Sequence, residues 1–274
     1  MYSAHEIAFL QRLHRERPQE CRAGKTALFF YREFHIGRLA GATIEYDQGH
    51  YEAAAQHLVA RGLPLEALGK AAQRADAAVY AGLSEKQGTV APHADSVALK
   101  TVGGCTVQGQ ALWTPDGAYM VSSVADACQV TCDVVCWVEN FETFRRLHEY
   151  RWIAFESRAV LVLYRGDSRF SPRDALQCLR LRAEPVWAFV DFDPAGLLIA
   201  NGVASERLER LLHPGSEWLR EAAADSSQGR ALYAQQVDRC RGVLDGASSD
   251  IIREAWALLQ GLRSGVTQER MRGA

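Results

Sequence analysis

The chain has 274 residues, a length that suits one large domain or two domains of ordinary size. Its composition, 48% apolar and 23% charged, is typical of a globular protein. The formal net charge of −2 excludes a general positive field that would attract nucleic acid, so any DNA contact has to come from a local basic patch. No apolar run is long enough to span a bilayer, so we expect no membrane partner.

The N-terminal sequence lacks the apolar core of a signal peptide. It predicts an amphipathic helix instead, with Ile7, Leu10 and Leu13 on one stripe. The chain contains seven cysteines, an odd number that shows no disulfide framework. We therefore expect reduced thiols and a cytoplasmic location.

Residues 1–128 are interpreted as one module that mixes helices and strands. Helices are predicted over residues 51–61 and 65–80, and short strands over residues 97–102 and 105–112. Two helices followed by a strand pair are typical of a winged helix, a fold that binds DNA or a protein partner. Seven basic residues between Arg12 and Arg38 add a modest positive bias, although an ordinary solvated surface would look the same.

Residues 129–274 change to an α/β pattern. Buried strands are predicted over residues 134–139, 159–166 and 185–193, with helices between them, and a helical pattern follows from about residue 205. Ser171 and Pro172 are typical of the start of a helix. Continuous apolar strands that alternate with helices indicate a parallel sheet covered on both faces.

Acidic residues close two of these strands. Glu139 follows VVCWV, and Asp191 and Asp193 follow PVWAFV. Alternation along a strand predicts that Asp191 and Asp193 point to the same side, and neighbouring strands would bring Glu139 beside them. Two carboxylates about 4 Å apart repel by roughly 4 kcal/mol at an effective dielectric constant near 20. Three of them stay ionised together only with a cation, so the pattern predicts a Mg²⁺ or Mn²⁺ site for phosphodiester chemistry.

Other interpretations apply to each acid taken alone. Asp193 precedes Pro194 and is a natural helix N-cap, and Asp191 has the option of pairing with an arginine. Arg165 and Arg169 flank the end of the second strand, where phosphates would lie, or belong to a solvated turn. Asp167 is either an additional carboxylate or part of that surface turn.

The stretches VCWVENFETF, VLVLYRGDS and VWAFVDFDPAGLLIA, together with VTQERM near the end, resemble the Toprim domain. In detail they are most similar to the JetD or MksG nuclease subunit of Wadjet-type anti-plasmid systems, and the Asp-x-Asp-Pro-x-Gly element is also similar to the topoisomerase VI A subunit. The resemblance covers residues 130–205 well and the tail loosely. Two departures are Asn140, where many Toprim domains have glycine, and a second-strand turn without its usual second glycine.

This resemblance implies a Rossmann-like Toprim fold in residues 129–274, preceded by the winged-helix-like module and followed by C-terminal helices. It implies that Glu139, Asp191 and Asp193 bind Mg²⁺ and catalyse cleavage, with Glu269 as an auxiliary acid. The function implied is a DNA endonuclease that acts on double-stranded DNA as a homodimer, with an SMC-like ATPase complex as partner.

Two alternatives remain open at this stage. A topoisomerase-like transesterase would need a tyrosine nucleophile, for which Tyr31 is the nearest candidate, but its aromatic neighbours favour a core position. A degenerate Toprim scaffold would bind DNA or a partner without cleaving it.

Other motifs are weaker. CRAGKT at residues 21–26 has the ending of a phosphate-binding loop but no spaced glycine and no predicted strand before it, which argues against ATP hydrolysis by this chain. Cys128, Cys132 and Cys136 would share a face of one helix, but Cys136 falls in a predicted strand, so zinc is not expected. His148 and His213 are expected to be structural or exposed.

Overall fold

The computed structural model describes residues 2–69, 72–84, 89, 93–224 and 226–274 of the chain. It divides into two compact units, Met1–Pro92 and His93–Ala274. Each unit has its own apolar core. In the described ranges, no helix combines the length and the apolar character that crossing a membrane requires.

The N-terminal unit combines helices with a small antiparallel sheet. Its elements in chain order are α1 (Ala4–Glu16), β1 (Glu20–Arg22), α2 (Lys25–Phe34), β2 (Arg38–Ala40), β3 (Thr43–Glu45), α3 (Gln48–Val59) and α4 (Arg74–Ala78). Strand β3 pairs with both β1 and β2. The predicted amphipathic helix is confirmed as α1, in which Ile7, Leu10 and Leu13 are buried.

Two predictions for this unit are wrong in detail. The helix predicted over residues 65–80 is reduced to the five residues of α4, because the chain from Leu63 to Gly69 is not helical, and residues 70 and 71 lie outside the described part. A strand does precede the Gly-Lys-Thr of the CRAGKT segment, since β1 includes Cys21 and Arg22 and ends two residues before Gly24.

The C-terminal unit is an α/β domain. Its elements in chain order are β4 (Ser96–Val102), β5 (Thr106–Val107), β6 (Gln110–Ala111), β7 (Met120–Ser123), α5 (Val124–Ala127), β8 (Val130–Thr131), β9 (Val134–Val138), α6 (Phe141–Arg145), a 3₁₀ turn (Leu147–Glu149), β10 (Val160–Tyr164), α7 (Pro172–Leu181), β11 (Val186–Phe189), α8 (Pro194–Asn201), β12 (Leu208–Leu211), α9 (Ser216–Ala224), α10 (Ser227–Asp245), α11 (Asp250–Leu262) and α12 (Gln268–Met271).

A six-stranded sheet in the order β12-β11-β9-β10-β4-β7 forms its centre. The four strands β9 to β12 run parallel, β4 pairs antiparallel with β10, and β7 pairs antiparallel with β4 at the edge. Every residue of β9, β10 and β11 is buried, as expected for strands with both faces covered. The predicted α/β class with a mainly parallel sheet is therefore confirmed.

The sheet also corrects the sequence prediction in three places. The strands at residues 97–102 and 105–112 do not pair with each other, because β4 joins the central sheet while β5 pairs with β6 and β8. Both belong to the C-terminal unit, so the units divide after Pro92 and not after residue 128. The region after residue 205 was expected to be helical, yet it contains the edge strand β12.

Helix α8 lies unusually close to the segment that follows β11. A Cβ atom added at Gly196 would lie 2.0 Å from the carbonyl oxygen of Asp191 and 2.9 Å from its carbonyl carbon. Both are backbone atoms and cannot rotate away, so only glycine allows the first turn of α8 to pack here.

We therefore expect Gly196→Ala to lower the free energy of unfolding by about 3 kcal/mol, measured by urea denaturation. Gly261→Ala in α11 is the matched control, because nothing lies within 4 Å of its added methyl group. Its higher helix propensity should stabilise the protein by about 0.5–1 kcal/mol. An unchanged urea midpoint for Gly196→Ala would contradict the close approach.

Candidate functional site

The carboxyl ends of β9 and β11 lie side by side. The two strands pair in parallel, with Phe189 opposite Val138, so the chain leaves both strands at the same level. The backbone N–H of Glu139 donates to the carbonyl oxygen of Phe189 at 3.0 Å. The backbone N–H of Asp191 donates to Oε2 of Glu139 at 3.1 Å. Two acids that are 52 residues apart in sequence are thereby brought into contact.

Asp193 lies close by, but its carboxylate has other partners. It is the N-cap of α8, where Oδ1 accepts from the backbone N–H of Gly196 at 2.8 Å and Oδ2 accepts from Nε2 of Gln236 at 3.1 Å. Strand β11 ends at Phe189 and Pro194 begins α8. The alternation of side chains along a strand, which predicted that Asp191 and Asp193 point to the same side, therefore does not extend to Asp193. Asp193 is 4% exposed and is not among the residues that line the cavity beside Glu139 and Asp191.

The segment Ser264–Met271, here called the C-terminal strap, completes the site. Phe192 and Val266 exchange two backbone hydrogen bonds, of 2.8 and 3.0 Å. The fully buried Gln268 donates its backbone N–H to Oδ1 of Asp191 at 2.7 Å. Its side chain donates to the carbonyl oxygen of Phe189 at 2.9 Å and accepts from the backbone N–H of Asn140 at 2.8 Å. Gln268 therefore ties both strand ends together.

Asn140 connects the first strand end to the strap. Its Oδ1 accepts from the backbone N–H groups of Glu142 and Thr143, which caps α6. Its Nδ2 donates to Oε1 of Glu269 at 2.6 Å, which holds this carboxylate at the edge of the site. Asparagine thus has a specific function at the position where the resemblance led us to expect glycine.

The turn after β10 forms the opposite rim. Arg165 lies at the strand end, and its backbone N–H donates to the carbonyl oxygen of Val138 at 2.8 Å. The carboxylate of Asp167 accepts from the backbone N–H groups of Arg169 at 2.7 Å and Phe170 at 3.1 Å, so Asp167 forms the surface turn. Arg165 and Asp167 line the cavity, whereas Arg169 is exposed and does not.

Together these elements enclose a cavity of about 630 Å³. Its lining contains one basic residue, Arg165, and five acidic residues, Glu139, Glu142, Asp167, Asp191 and Glu269. The negative charge is thus concentrated where the carboxyl ends of parallel strands meet, the usual place for a ligand in such a sheet.

The buried carboxyl groups resist ionisation. Burial, together with the charge of Glu139, raises the pKa of Asp191 to about 7, although the hydrogen bond from Gln268 works in the opposite direction. Burial also raises the pKa of Glu139, and the charge of Asp193 adds to this effect, while the N–H of Asp191 and the charge of Arg165 lower it. Such shifts are typical of functional sites.

The donor set suits a hard divalent cation, because buried carboxylates that repel each other are relieved by positive charge. Glu139 and Asp191 are the residues placed to hold it, and Glu269 lies at the same cavity. Within the described ranges, no three His, Cys, Asp or Glu side chains are already arranged around one point. An ion here would therefore complete its coordination with water or substrate oxygens, which is the habit of Mg²⁺.

The remaining candidates lie elsewhere. Tyr31 is in α2 and packs against the core of the N-terminal unit. Cys128, Cys132 and Cys136 do not share a helix, and all seven cysteines are free thiols. His148 is 3.9 Å from Glu149 in the 3₁₀ turn, and His213 packs against the ring of Phe192.

Sequence reasoning missed the functions of Asn140, Gln236 and Gln268. The Gln-Glu-Arg signature contained Gln268, but only its glutamate was considered. One available signal was the position of Gln268, two residues after the apolar Val266 in a mostly polar tail.

The raised pKa of Asp191 predicts a pH-dependent stability in the presence of EDTA. Because the folded-state pKa of about 7 lies above the ordinary value near 3.9, ionisation of Asp191 destabilises the folded state. Stability from this group is complete below pH 4 and is lost as the pH rises through 7, by up to about 4 kcal/mol. Asp191→Asn should therefore unfold at a higher temperature than wild type at pH 8 and show no such advantage at pH 4.

Glu254→Gln, which neutralises an exposed carboxylate of α11, is the control and should not change the pH profile. Parallel profiles for wild type and Asp191→Asn between pH 4 and 8 would show that Asp191 ionises normally.

The strap predicts a large effect of a single polar residue. Gln268→Ala leaves the Asn140 N–H unpaired and removes one of the two hydrogen bonds to the Phe189 carbonyl, which should lower the free energy of unfolding by about 1–3 kcal/mol. Gln260→Ala, at an exposed position of α11, should change it by less than about 0.5 kcal/mol. Equal urea midpoints for the two variants would refute the proposed anchoring.

A search of curated proteins returned no match. Comparison with protein families matched residues 94–273, nearly the whole C-terminal unit with its acidic cavity, to the family described as "Domain of unknown function (DUF7281)". Because this match covers more than half of the chain, the protein belongs to the DUF7281 family.

Proposed function

We propose that this protein is a metal-dependent endonuclease that hydrolyses phosphodiester bonds of double-stranded DNA. The observation that supports it best is the contact between Glu139 and Asp191 at the carboxyl ends of adjacent parallel strands, with the pKa of Asp191 raised to about 7. A carboxyl pair kept partly protonated in a cavity open to solvent is suited to exchange its proton for a divalent cation.

In this proposal Glu139 and Asp191 bind the cation, Mg²⁺ or Mn²⁺, and Asp193 and Glu269 supply additional negative charge. A divalent cation in such a site polarises the phosphate and activates water for attack. Asp193 also fixes the start of α8 and so positions Asp191 through the close contact at Gly196. Arg165 faces the acids from the opposite rim, where it is placed to contact a phosphate oxygen.

Hydrolysis forms a bond from the oxygen of water to phosphorus and breaks the ester bond between phosphorus and one deoxyribose oxygen. That oxygen takes up a proton, so a free hydroxyl end and a free phosphate end result. A transesterase would instead leave a tyrosine–DNA adduct. Tyr31 lies in a helix packed on an apolar core, which disfavours a nucleophilic role. Hydrolysis is therefore the reaction we propose.

The partners follow from the resemblance described above. We propose a Toprim-type nuclease domain in the C-terminal unit that acts as a homodimer in a cytoplasmic plasmid-defence complex with an SMC-like ATPase. The strands predicted to form a wing belong to the C-terminal unit. A winged-helix function of the N-terminal unit would therefore depend on its own antiparallel sheet and helices.

The direct test is cleavage of a supercoiled plasmid with Mn²⁺ or Mg²⁺. Wild type should cut the plasmid, and Asp191→Ala and Glu139→Ala should each reduce the rate at least about a hundredfold while DNA binding persists, because the cation is lost. Glu254→Gln is the control and should cut like wild type. End analysis should find free ends in wild type and in Tyr31→Phe.

Two outcomes would redirect the proposal. Covalent protein–DNA adducts that disappear in Tyr31→Phe would identify a transesterase. No cleavage by wild type with either metal, alone or with its partner complex, would identify a binding scaffold.

Metal binding can be measured without any cleavage. At pH 8, Mn²⁺ should raise the melting temperature of wild type, because the ion relieves the repulsion between Glu139 and Asp191. Asp191→Asn should lose most of this increase, while Glu254→Gln should retain it. The same increase in all three proteins would place the ion elsewhere.

A further inference from the structure

A second cavity lies in the N-terminal unit and does not depend on the function proposed above. It has a volume of about 720 Å³, within the range of ligand sites. Its lining contains four residues able to carry positive charge, His5, Arg12, Arg22 and Lys25, and no acidic residue. The net formal charge of the chain is negative, so this concentration of positive charge is local.

The charges of three of these residues have no acidic partner among the described residues of the unit. Arg12 lies over the ring of Phe9, with 5.7 Å between the guanidinium carbon and the ring centroid, and this contact leaves its charge available. Across the described ranges, neither Arg12 nor Arg22 nor Lys25 takes part in an ion pair. Neighbouring arginines do, since Arg15 pairs with Glu16 and Arg38 pairs with Glu45. Arg17 and Arg32 also form no ion pair among the described residues, but they do not line the cavity, so Arg12, Arg22 and Lys25 are the unpaired cations that lie together.

The start of α2 lies in the wall of the same cavity. Gly24 is the N-cap and offers no side chain to the first turn, and the first turn contains no acidic residue. Gly24, Lys25, Thr26 and Ala27 all line the cavity, so the uncapped N–H groups of this ten-residue helix lie beside the cations. Strand β1 is followed by Ala23 and Gly24 and then by Lys25 and Thr26 at the start of α2. The first glycine of a phosphate-binding loop is missing, but free N–H groups at a helix start beside a lysine still favour an anion.

We propose that this cavity binds a phosphate group, held by Arg12, Arg22 and Lys25 and by the first turn of α2. The same chemistry is offered by a free di- or triphosphate and by the backbone of a nucleic acid, and the experiment below separates these sources.

The test uses the full-length chain in EDTA, so that no divalent ion holds phosphate at the acidic cavity of the other unit. Binding of pyrophosphate and ATP is measured by calorimetry, and binding of a fluorescent DNA duplex by anisotropy. Arg22→Gln and Lys25→Gln should each weaken binding about tenfold, because each removes one charge-assisted contact. Arg15→Gln, on α1 but outside the cavity, should change affinity less than about twofold.

Gly24→Asp separates loss of binding from loss of folding. The backbone at Gly24 is extended, with φ −78° and ψ 171°, and an added Cβ would have only one neighbour, 3.9 Å away. An aspartate there is a favourable N-cap and should raise the melting temperature of the unliganded protein. Its carboxylate occupies the N–H groups of the first turn and repels phosphate, so binding should fall at least about tenfold.

The outcomes are distinct. Binding of pyrophosphate and ATP that the three cavity variants lose supports a free phosphate compound as ligand. Binding confined to the duplex and lost in the same variants supports a backbone phosphate. No binding to any probe, or equal binding by wild type and the cavity variants, overturns the proposal. Each result is independent of whether the acidic cavity cleaves DNA.

Discussion

The parallel pairing of β9 with β11 is the constraint on which the acidic cavity depends. Phe189 lies opposite Val138, so one register places Glu139 and the residues after Phe189 at the same height. A slip of one residue would turn every buried side chain of β11 to the other face of the sheet. Both faces of β11 are buried, but Val186 and Ala188 lie on one face and the larger Trp187 and Phe189 on the other, so side-chain packing fixes the register. The register in turn brings the two carboxylates together.

Hydrogen bonds from nearby N–H groups oppose the repulsion between these carboxylates. Asp191 accepts an N–H from Gln268, Glu139 accepts an N–H from Asp191, and Asp193 is bound by the first turn of α8. These hydrogen bonds hold the acids in place, but burial and the charge of Glu139 outweigh them and raise the pKa of Asp191 to about 7. The two units also separate charge, with acids in one cavity and unpaired cations in the other.

Local sequence signals predicted much of this domain. Apolar runs identified β9, β10 and β11, and Ser171 with Pro172 identified the start of α7, where Ser171 accepts from the N–H of Asp174. The acidic residues at the ends of two predicted strands indicated that Glu139 and Asp191 would lie close together. Long-range contacts left no comparable signal. The second oxygen of Asp193 binds Gln236, 43 residues away, and the sequence of the edge strand β12 does not distinguish it from a helix.

The C-terminal strap has a consequence for how the domain opens. Its contact with Asn140 joins residues 128 positions apart, and the strap is held by hydrogen bonds, by the backbone bridge between Phe192 and Val266 and by the buried side chains of Val266 and Met271. Segments of this kind detach before the sheet does, in partial unfolding events that leave the remaining structure intact. We expect the amide of Gln268 to exchange its hydrogen faster than those of β9, because it lies in a terminal segment and not in the central sheet.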